Sequence, residues 1–499
     1  MIYDLPSLKN FFQSTSLPPI FGVGVYALER LGLEEIVPNY KLLALRYSDD
    51  TRLIEHNLDV WSLEKGMGTR HINAPRNSAT LLAHERTRAY LTQFNHPALI
   101  LYKSSPAIER AAQQHGWTLV GIPSRFGKDL FENKVLFRAT LEELGLPSPP
   151  GELCTLGQLD FTKAQQRFGL PFVLQHPKRG GGKGTFFIRS NHDWDNALAQ
   201  LKAYENEGRV ILDGARETQI IVARYITGPS ISITGCVTRH GILSTSPQYQ
   251  IIDAPDLYDP RKGSGLFCGH DWTSSQFSPS VESQIYDAVE KVGNHLASKG
   301  YKGIFGLDFV LDEKTQRIFI TECNPRLLGS FPTLTMTQLH NGEPPIIAFH
   351  LLEYLNASYE IDVAAINALM RRPKMGGQMF PHNLTEQWAR SGAEVHAGIY
   401  RLATNNSLEF LREGYALKHL RDENEFVLTD GVLQRGAHYS PNRRLGRILT
   451  IAPLLAQDKK TLSPHAQQIA RAVHAAFQLK PVPLARTVRF LFPSFMAKG

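Results

Sequence analysis

Three side chains that carry oxygen ligands, Asp308, Glu322 and Asn324, lie in one stretch of the chain, residues 303–326. Apolar segments rich in Ile, Phe, Leu and Val flank a polar turn at 312–316, which predicts a β-hairpin. Alternate side chains of a strand share a face, and symmetry about the turn places Asp308 opposite Glu322. Two carboxylates that close repel each other unless a cation lies between them, and Mg²⁺ prefers such oxygens. The stretch therefore predicts a magnesium site, with an ordinary exposed hairpin as the alternative.

A glycine-rich loop between two apolar segments, in residues 172–189, is the second candidate. Its glycines let the backbone fold over a ligand without Cβ atoms, so that amides, Lys178 and Lys183 can hold phosphate oxygens. The spacing matches neither a P-loop nor a dinucleotide fingerprint, and no helical pattern follows directly. We therefore predict a strand, loop and strand that form a flap, with a flexible glycine-rich turn as the alternative.

Lys134 is the third candidate, because it stands near the start of a helix predicted for residues 130–144. Gly145 is placed to cap this helix, and the prolines beyond it prevent its continuation. Taken alone, Lys134 is equally compatible with a solvated surface position. A Gly-x-Gly sequence at 21–25 lacks the third glycine and the acidic partner of a dinucleotide site, so we predict a tight turn there.

The composition limits the classes of protein. A chain of 499 residues, 42% apolar and 20% charged, predicts a globular protein of two to four domains. The net charge of +7 suits an anionic substrate but not the basic stripe of a nucleic-acid binder. Four separated cysteines suggest neither a zinc site nor a disulfide framework, so we expect a cytoplasmic protein. We find no leader pattern and no apolar run long enough to span a membrane.

The elements that must position the candidates change in character along the chain. The first 125 residues alternate strands with helices, which predicts a Rossmann-like parallel sheet. The segment 219–233 predicts two strands, 253–278 predicts a long surface loop, and 280–300 predicts a helix that leads into the hairpin. Residues 371–375 read as a polar linker, followed by strands and a closing helix at 463–478.

The helix that begins near Lys134, the glycine-rich strand pair and the final Glu-x-Asn-Pro-Arg sequence occur in an order that resembles the ATP-grasp superfamily. The match runs from about residue 127 to 350. Within the superfamily, the sequence is most similar to the carboxylate-amine ligases. The resemblance implies an α+β ATP-grasp fold, in which two α+β subdomains grip ATP, after a Rossmann-like α/β pre-ATP-grasp domain and before a smaller β-rich C-terminal domain. The implied domains are 1–125, 126–370 with a flap subdomain at about 150–225, and 371–499.

The resemblance also implies a role for each motif. Lys134 and the flap would contact the nucleotide phosphates, the linker at 223–226 would lie along the adenine, and Arg326 would stabilise the charge of the transferring phosphoryl group. The metal ligands implied for Mg²⁺ or Mn²⁺ are Asp308, Glu322 and Asn324. The residues implied for catalysis are Arg326 and Lys183, and those implied for ATP are Lys134, Gln175, Lys178, Gly180, Gly181, Gly182, Gly184, Arg224, Tyr225 and Ile226.

Two positions depart from the family pattern. A second lysine usually ends the strand before the flap, where this chain has Gln175. The linker usually opens with a glutamate, where this chain has Ala223. Gln175 can donate a hydrogen bond but brings no charge, so weaker phosphate binding, or compensation by Lys178 or Arg179, is expected. Neither change affects the three metal ligands.

The resemblance implies an ADP-forming ligase that activates a carboxylate as an acyl phosphate and joins it to an amine. The expected partners are a small-molecule acid and amine, such as an amino acid or small peptide, without nucleic acid, and a homodimer is left open. One alternative is a biotin-carboxylase-like enzyme, although the sequence holds no biotinyl attachment motif Met-Lys-Met and would need a separate carrier. A catalytically silent ATP-binding module is the other.

Arg443, Arg444 and Arg447 either meet an anionic substrate or lie in a solvated loop.

Overall fold

The computed structural model describes residues 1–69, 74–180, 184–211, 218–259, 265–432 and 436–482. The N-terminal part is a parallel sheet flanked by helices, as predicted. Its strands, in the order β3-β2-β1-β4-β5, are β1 (Ile20–Gly24), β2 (Lys41–Ala44), β3 (Asp59–Ser62), β4 (Ala98–Ile100) and β5 (Thr118–Val120). Its helices are α1 (Leu5–Ser14), α2 (Asp49–Ile54), α3 (Leu63–Gly66), α4 (Ser78–Ala83), α5 (Glu85–Leu91) and α6 (Pro106–His115).

The tight turn predicted at 21–25 is wrong, because residues 21–24 are extended in β1 and only Val25 lies beyond it. A Cβ atom on Gly22 would lie 2.0 Å from the hydroxyl oxygen of Tyr40 and 2.5 Å from Cβ of Arg30. The glycine therefore serves close packing across the strand rather than a turn.

A small antiparallel sheet follows, which we call the roof, with the strand order β6-β9-β7-β8. Its strands are β6 (Gly151–Thr155), β7 (Phe172–Gln175), β8 (Thr185–Ile188) and β9 (Gln219–Arg224). The accompanying helices are α7 (Lys134–Glu143), α8 (Phe161–Phe168) and α9 (Asn191–Ile211). The roof has an apolar core of its own around Phe172 and Trp194, distinct from the largest core of the chain.

An eleven-stranded antiparallel sheet forms the body of the described residues. Its path is β15-β14-β10-β12-β13-β16-β22-β20-β18-β19, and β11 pairs with β10. These strands are β10 (Ser230–Thr238), β11 (Gly241–Ser244), β12 (Gln248–Ile252), β13 (Phe267–Asp271), β14 (Gly303–Leu311), β15 (Ile318–Asn324), β16 (Gly377–Met379), β18 (Gly398–Leu402), β19 (Leu408–Arg412), β20 (Phe426–Thr429) and β22 (Arg447–Thr450).

The remaining elements complete the C-terminal half. A three-stranded sheet in the order β21-β17-β23 contains β17 (Ala389–Arg390), β21 (His438–Tyr439) and β23 (Lys480–Pro481). The helices are α10 (Pro279–Ser298), α11 (Thr333–His340), α12 (Ile346–Tyr354), α13 (Val363–Met370) and α14 (Pro464–Phe477). The helices predicted near 280–300 and 463–478 are confirmed with shifts of one or two residues at their ends.

Two local predictions fail. The loop predicted at 253–278 contains the buried strand β13, which pairs with β12 and β16 in the middle of the large sheet. The polar linker predicted at 371–375 contains Lys374, which is buried in an ion pair with Glu343 at 2.8 Å. The large sheet continues across the predicted boundary at residue 370, and the domain limits stay a prediction.

Candidate active site

A cleft of about 510 Å³ lies between the roof and the hairpin of β14 and β15, which we call the floor. Of the residues predicted to bind or react, the structure brings nine to this cleft. They are Lys134, Gln175, Arg224, Tyr225, Ile226, Asp308, Glu322, Asn324 and Arg326. The predicted residues Lys178, Gly180 and Gly184 do not line it, whereas Gly181, Gly182 and Lys183 fall outside the described residues.

The floor has the predicted register, because Asp308 of β14 pairs with Glu322 of β15. The register shifts after Asp308, so that Phe309 pairs with Ile320 and Thr321 is the extra residue of a bulge. The side-chain amide of Asn324 donates a hydrogen bond of 2.9 Å to Oδ2 of Asp308, and Gln250 donates one of 3.0 Å to Oδ1. The three predicted metal ligands therefore occupy one face.

The carboxylates of Asp308 and Glu322 lie close together at the floor and repel each other. Burial, and then the negative charge of Glu322, raises the pKa of Asp308 to about 7. Within the described part of the chain, no group of three His, Cys, Asp or Glu side chains is arranged to hold a metal ion. A cation here would rest on two carboxylates and the amide oxygen of Asn324, a donor set that suits a hard divalent ion, and its charge would relieve their repulsion.

Lys134 connects the floor to the glycine-rich loop. Asn133 caps α7 by accepting from the backbone amides of Val135 and Leu136, which fixes Lys134 in the first turn. The side chain is 4% exposed, and its ammonium lies 3.2 Å from Oε2 of Glu322 and donates to the carbonyl of Arg179 at 3.0 Å. Lys134 is therefore buried and has two polar partners, so the interpretation of Lys134 as a solvated surface residue is excluded.

Arg326 lies at the other side of the floor, after Pro325 ends β15. Its guanidinium donates to Asn324 at 2.7 Å and to Glu132 at 2.9 Å. It also donates to the hydroxyl of Tyr102 at 2.5 Å, just beyond the C-terminal end of β4. Arg326 therefore joins the floor to the N-terminal sheet.

The roof presents polar groups at its cleft edge. Gln175, at the end of β7, donates to the hydroxyl of Thr185 at 3.2 Å. Next to it, burial and the positive charges of Arg179, Lys134 and Lys178 lower the pKa of His176 to about 4. The ring stays neutral, and its Nδ1 accepts from the amide of Lys178 at 3.1 Å. The roof edge thus carries positive charge around a neutral histidine.

The linker from β9 to β10 forms one end of the cleft. The Arg224 amide donates to the carbonyl of Pro150 at 2.8 Å, and the ring of Tyr225 meets Phe187 edge to face at 5.5 Å. Ile226 is buried. A flat apolar slot bordered by backbone is the surface that a planar base requires.

Sequence reasoning missed several lining residues because their positions depend on distant contacts. Among them are Tyr102, Arg138, Gln250, His270, Lys459 and Lys460. Arg444 also lines the cleft, as one of the two alternatives for the basic cluster of Arg443, Arg444 and Arg447 allowed. The described lining holds cations in excess over carboxylates. The cations are Lys134, Arg138, Arg189, Arg224, Arg326, Arg444, Lys459 and Lys460, and the carboxylates are Asp253, Asp308 and Glu322.

Residues 131–330 match the ATP-grasp domain family. This part of the chain is an ATP-grasp domain. It contains the roof, the floor and the linker, and therefore most of the cleft, whereas Tyr102, Arg444, Lys459 and Lys460 reach the cleft from outside it. No helix among the described residues is long and apolar enough to cross a membrane.

Solved structures share this fold over most of the chain. The biotin carboxylase domain of Hydrogenobacter thermophilus 2-oxoglutarate carboxylase, in complex with magnesium ADP and bicarbonate, is 15% identical, with 94% of this chain and 92% of that chain covered and a TM-score of 0.55. The biotin carboxylase of Campylobacter jejuni, solved as a beta-gamma-ATP complex, is 13% identical, with 88% of each chain covered and a TM-score of 0.54.

A third similar structure is carboxyaminoimidazole ribonucleotide synthase from Aspergillus clavatus, complexed with ATP. It is 14% identical, with 93% of this chain and 99% of that chain covered and a TM-score of 0.51. At these identities the likeness establishes the ATP-grasp fold and leaves the substrates open.

Proposed function

We propose that the chain is an ADP-forming ligase that uses ATP to join a carboxylate to an amine. The observation that carries the proposal is the pairing of Asp308 with Glu322 beside two cations, Lys134 from α7 and Arg326 from the end of the floor. Such a set neutralises a phosphate chain from several sides. Phosphoryl transfer depends on positioning and charge neutralisation more than on covalent help from the protein.

The nucleotide base is assigned to the linker end of the cleft, against Tyr225, Ile226 and Phe187. The phosphates then extend toward Lys134, whose ammonium lies between the floor and the loop carbonyl of Arg179. Asp308, Glu322 and Asn324 would hold Mg²⁺ or Mn²⁺, which when bound supplies positive charge to the phosphate oxygens. Gln175 would donate one hydrogen bond where a charged side chain is usual.

The reaction would proceed in two displacements. A carboxylate oxygen of the acid attacks the γ-phosphorus of ATP, and ADP leaves, which yields an acyl phosphate. The amine nitrogen then attacks the carbonyl carbon, phosphate leaves with its bonding electron pair, and the amine releases a proton. Arg326 is placed to balance the negative charge of the transferring phosphoryl group, because its guanidinium is held against Asn324 of the floor. Closure of the roof would exclude water, which otherwise hydrolyses the acyl phosphate.

The proposal is tested by incubating the protein with magnesium ATP and pooled amino acids and small acids. We expect ADP, together with a product whose mass equals acid plus amine minus water. Release of AMP would contradict the mechanism. ATP binding without ADP under every substrate pool would instead support a silent module, for which Gln175 and Ala223 are the reason.

A carboxylase-like activity is the second candidate, favoured by a fold that matches two biotin carboxylases over 94% and 88% of this chain. In that case the activated acid is bicarbonate and the acceptor is biotin on a separate carrier. Free biotin with bicarbonate should then stimulate ADP release, whereas mixtures of acids and amines without bicarbonate should not. The four free cysteines support our proposal of a cytoplasmic location, and a homodimer stays a proposal.

A further inference from the structure

Arg444 is a charged side chain of the cleft, and the carboxylate that acts on its charge, Asp430, is already paired with Arg447. Among the residues that the structure describes, its guanidinium makes no hydrogen bond and no ion pair. It lies on the aromatic ring of Phe380, with the guanidinium carbon 3.9 Å from the ring centre. Stacking uses the face of the guanidinium and leaves the N–H groups at its edge free for a ligand.

Arg447, three residues later, contacts the same aromatic ring but has a structural role. It also lies against Phe380, at 5.0 Å, but it is buried and fully bonded. It donates to Asp430, to Thr333 and to Gln378, each at 2.9 Å. Arg447 therefore holds the wall in place, whereas Arg444 presents its charge to the cleft.

The carboxylates of the cleft have other partners. Asp308 and Glu322 are bonded to Asn324, Gln250 and Lys134 at the floor. Asp253 accepts from the backbone amides of residues 265 and 266, at 2.6 and 2.7 Å. None of the described acidic residues that line the cleft thus forms an ion pair with Arg444. Asp430 acts on its charge from outside the cleft but is itself paired with Arg447 at 2.8 Å, so the guanidinium of Arg444 is available to an anionic ligand.

The position of Arg444 connects it with the reacting end of the cleft. It lines the same cleft as Arg326 and Tyr102. Tyr102 follows β4, and the strand order β3-β2-β1-β4-β5 makes the gap between β1 and β4 the point where the order reverses. Ligands of parallel α/β sheets bind in the crevice beyond the strand ends at such a point. The crevice is therefore available to a molecule that also reaches Arg326.

Positive charge continues beyond Arg444 along this crevice. Tyr26 follows β1, and burial raises its pKa while the charges of Arg443 and Arg76 act against that rise. Neither Arg76 nor Arg443 forms an ion pair among the described residues, although Arg443 donates to the carbonyl of His438 at 3.0 Å. Two further arginines therefore act on Tyr26 beyond β1, together with the carboxylate of Asp430.

We propose that the substrate that reacts beside Arg326 carries a second anionic group, a carboxylate or a phosphate, and that Arg444 binds this group. The inference rests on the ligase activity proposed above and names its substrate class. The planar guanidinium suits two parallel hydrogen bonds to such an anion, and the remaining arginines raise its local concentration. A substrate without the second anion leaves Arg444 unpaired and binds more weakly.

The experiment is isothermal titration calorimetry of the full chain, saturated with magnesium ADP, against pairs of amino acids that differ in charge, two of them nearly isosteric and one differing by a phosphate group. The pairs are L-glutamate with L-glutamine, L-aspartate with L-asparagine, and O-phospho-L-serine with L-serine. For at least one pair we expect the more anionic member to bind at least tenfold more tightly. Arg444→Gln should abolish this preference, and Arg444→Lys should keep part of it. Arg110→Gln, which removes a positive charge from an exposed position on α6 outside the cleft, should leave it unchanged.

Each outcome decides one of the two proposals. Equal binding within every pair, or a charge preference that survives in Arg444→Gln, overturns the inference even if the protein forms ADP and an amide. If the preference for the anionic member depends on Arg444 but the protein makes no ADP, the inference is supported and the proposed ligase activity is contradicted. The pair that shows the preference tells a carboxylate from a phosphate. Circular dichroism of each variant confirms that the fold is intact.

Discussion

The floor is a hairpin and the roof contains one, β7 with β8, yet the two hairpins are built differently. The floor strands are nine and seven residues long and continue into the eleven-stranded sheet, whose core is the largest of the chain. The roof strands β7 and β8 have four residues each and belong to a small sheet with a separate core. The charges of the floor are fixed by one another, whereas the roof contributes a glycine-rich loop. The comparison teaches that the floor is held by long strands and a large core, whereas the roof depends on short strands and a small core of its own.

The largest effect is expected at the floor. Glu322→Gln removes a charge that pairs with Lys134 and faces Asp308, so we expect turnover to fall by about 1,000-fold or more with an unchanged circular dichroism spectrum. Glu142→Gln, at an exposed position of α7, is the matched control and should keep full activity. Turnover of Glu322→Gln near the wild-type rate would show that the metal assignment is wrong.

Truncation of one buried phenylalanine in each core tests whether the floor and the roof unfold independently. Phe309 and Phe172 are both fully buried, the first in the large core and the second in the roof core. Each change to alanine should cost about 3–5 kcal/mol. We expect Phe309→Ala to lower the melting temperature of the whole chain and Phe172→Ala to accelerate hydrogen exchange in residues 172–188 alone. If Phe172→Ala lowered protection equally throughout the floor, the two regions would form one cooperative unit.

Lys134 connects the two regions, because it contacts both Glu322 and the carbonyl of Arg179. Lys134→Met keeps the length of the side chain but removes its charge. We expect kcat/KM for ATP to fall by about 100-fold, since one charged contact to the phosphates is lost. Lys163→Met on α8, at a highly exposed side chain, controls for lost surface charge. A smaller loss than threefold would remove Lys134 from the phosphate site.

The pH dependence of the roof should differ from that of the floor. His176 has a folded pKa of about 4, below its ordinary value of 6.5, so the unfolded chain binds more protons between these values. The stability of the roof therefore falls as the pH is lowered through this window, by about 1 kcal/mol after screening by solvent. Hydrogen exchange of residues 172–188, normalised to the unfolded rate at each pH, measures it. His176→Asn keeps an acceptor for the amide of Lys178 and should remove the pH dependence of exchange. If the pH dependence persisted in this variant, a group other than His176 would cause it.

The smallest effect is expected at Gln175. Replacement by lysine adds the charge that is usual at this position of the fold and faces Thr185 across the strand pair. We expect the dissociation constant of magnesium ATP to fall by about threefold to tenfold, measured by calorimetry. Gln165→Lys on α8, outside the cleft, is the charge control. Unchanged affinity would mean that the roof compensates by other groups.

The sequence predicted best what depends on near neighbours. The opposition of Asp308 and Glu322, the strand pair around the glycine-rich loop and the left-handed Gly145 beyond the end of α7 all follow from patterns within about 25 residues, and the structure agrees with each. The start predicted for that helix, near residue 130, is wrong by four residues, because α7 begins at Lys134. The roles of these residues in binding and catalysis stay predictions.

What the sequence could not predict depends on contacts between distant parts of the chain. Strand β13 pairs with residues 377–379, more than 100 positions later, and Tyr102 meets Arg326 more than 200 positions later. A Cβ on Gly269 would lie 2.1 Å from the carbonyl oxygen of Gln378, so the glycine that suggested a loop allows two strands to approach closely. Local turn signals and close packing use the same residue type.

Strand β13 also has a consequence for synthesis on the ribosome. When residues up to 370 have emerged, β12 can pair with both β10 and β13, but the other edge of β13 has no partner until β16 follows. An unpaired strand edge invites association with other nascent chains. Translation of the residues between 370 and the end of β16 therefore sets how long this edge is exposed, and a pause near residue 370 should increase aggregation or chaperone dependence before any change in the finished enzyme is seen.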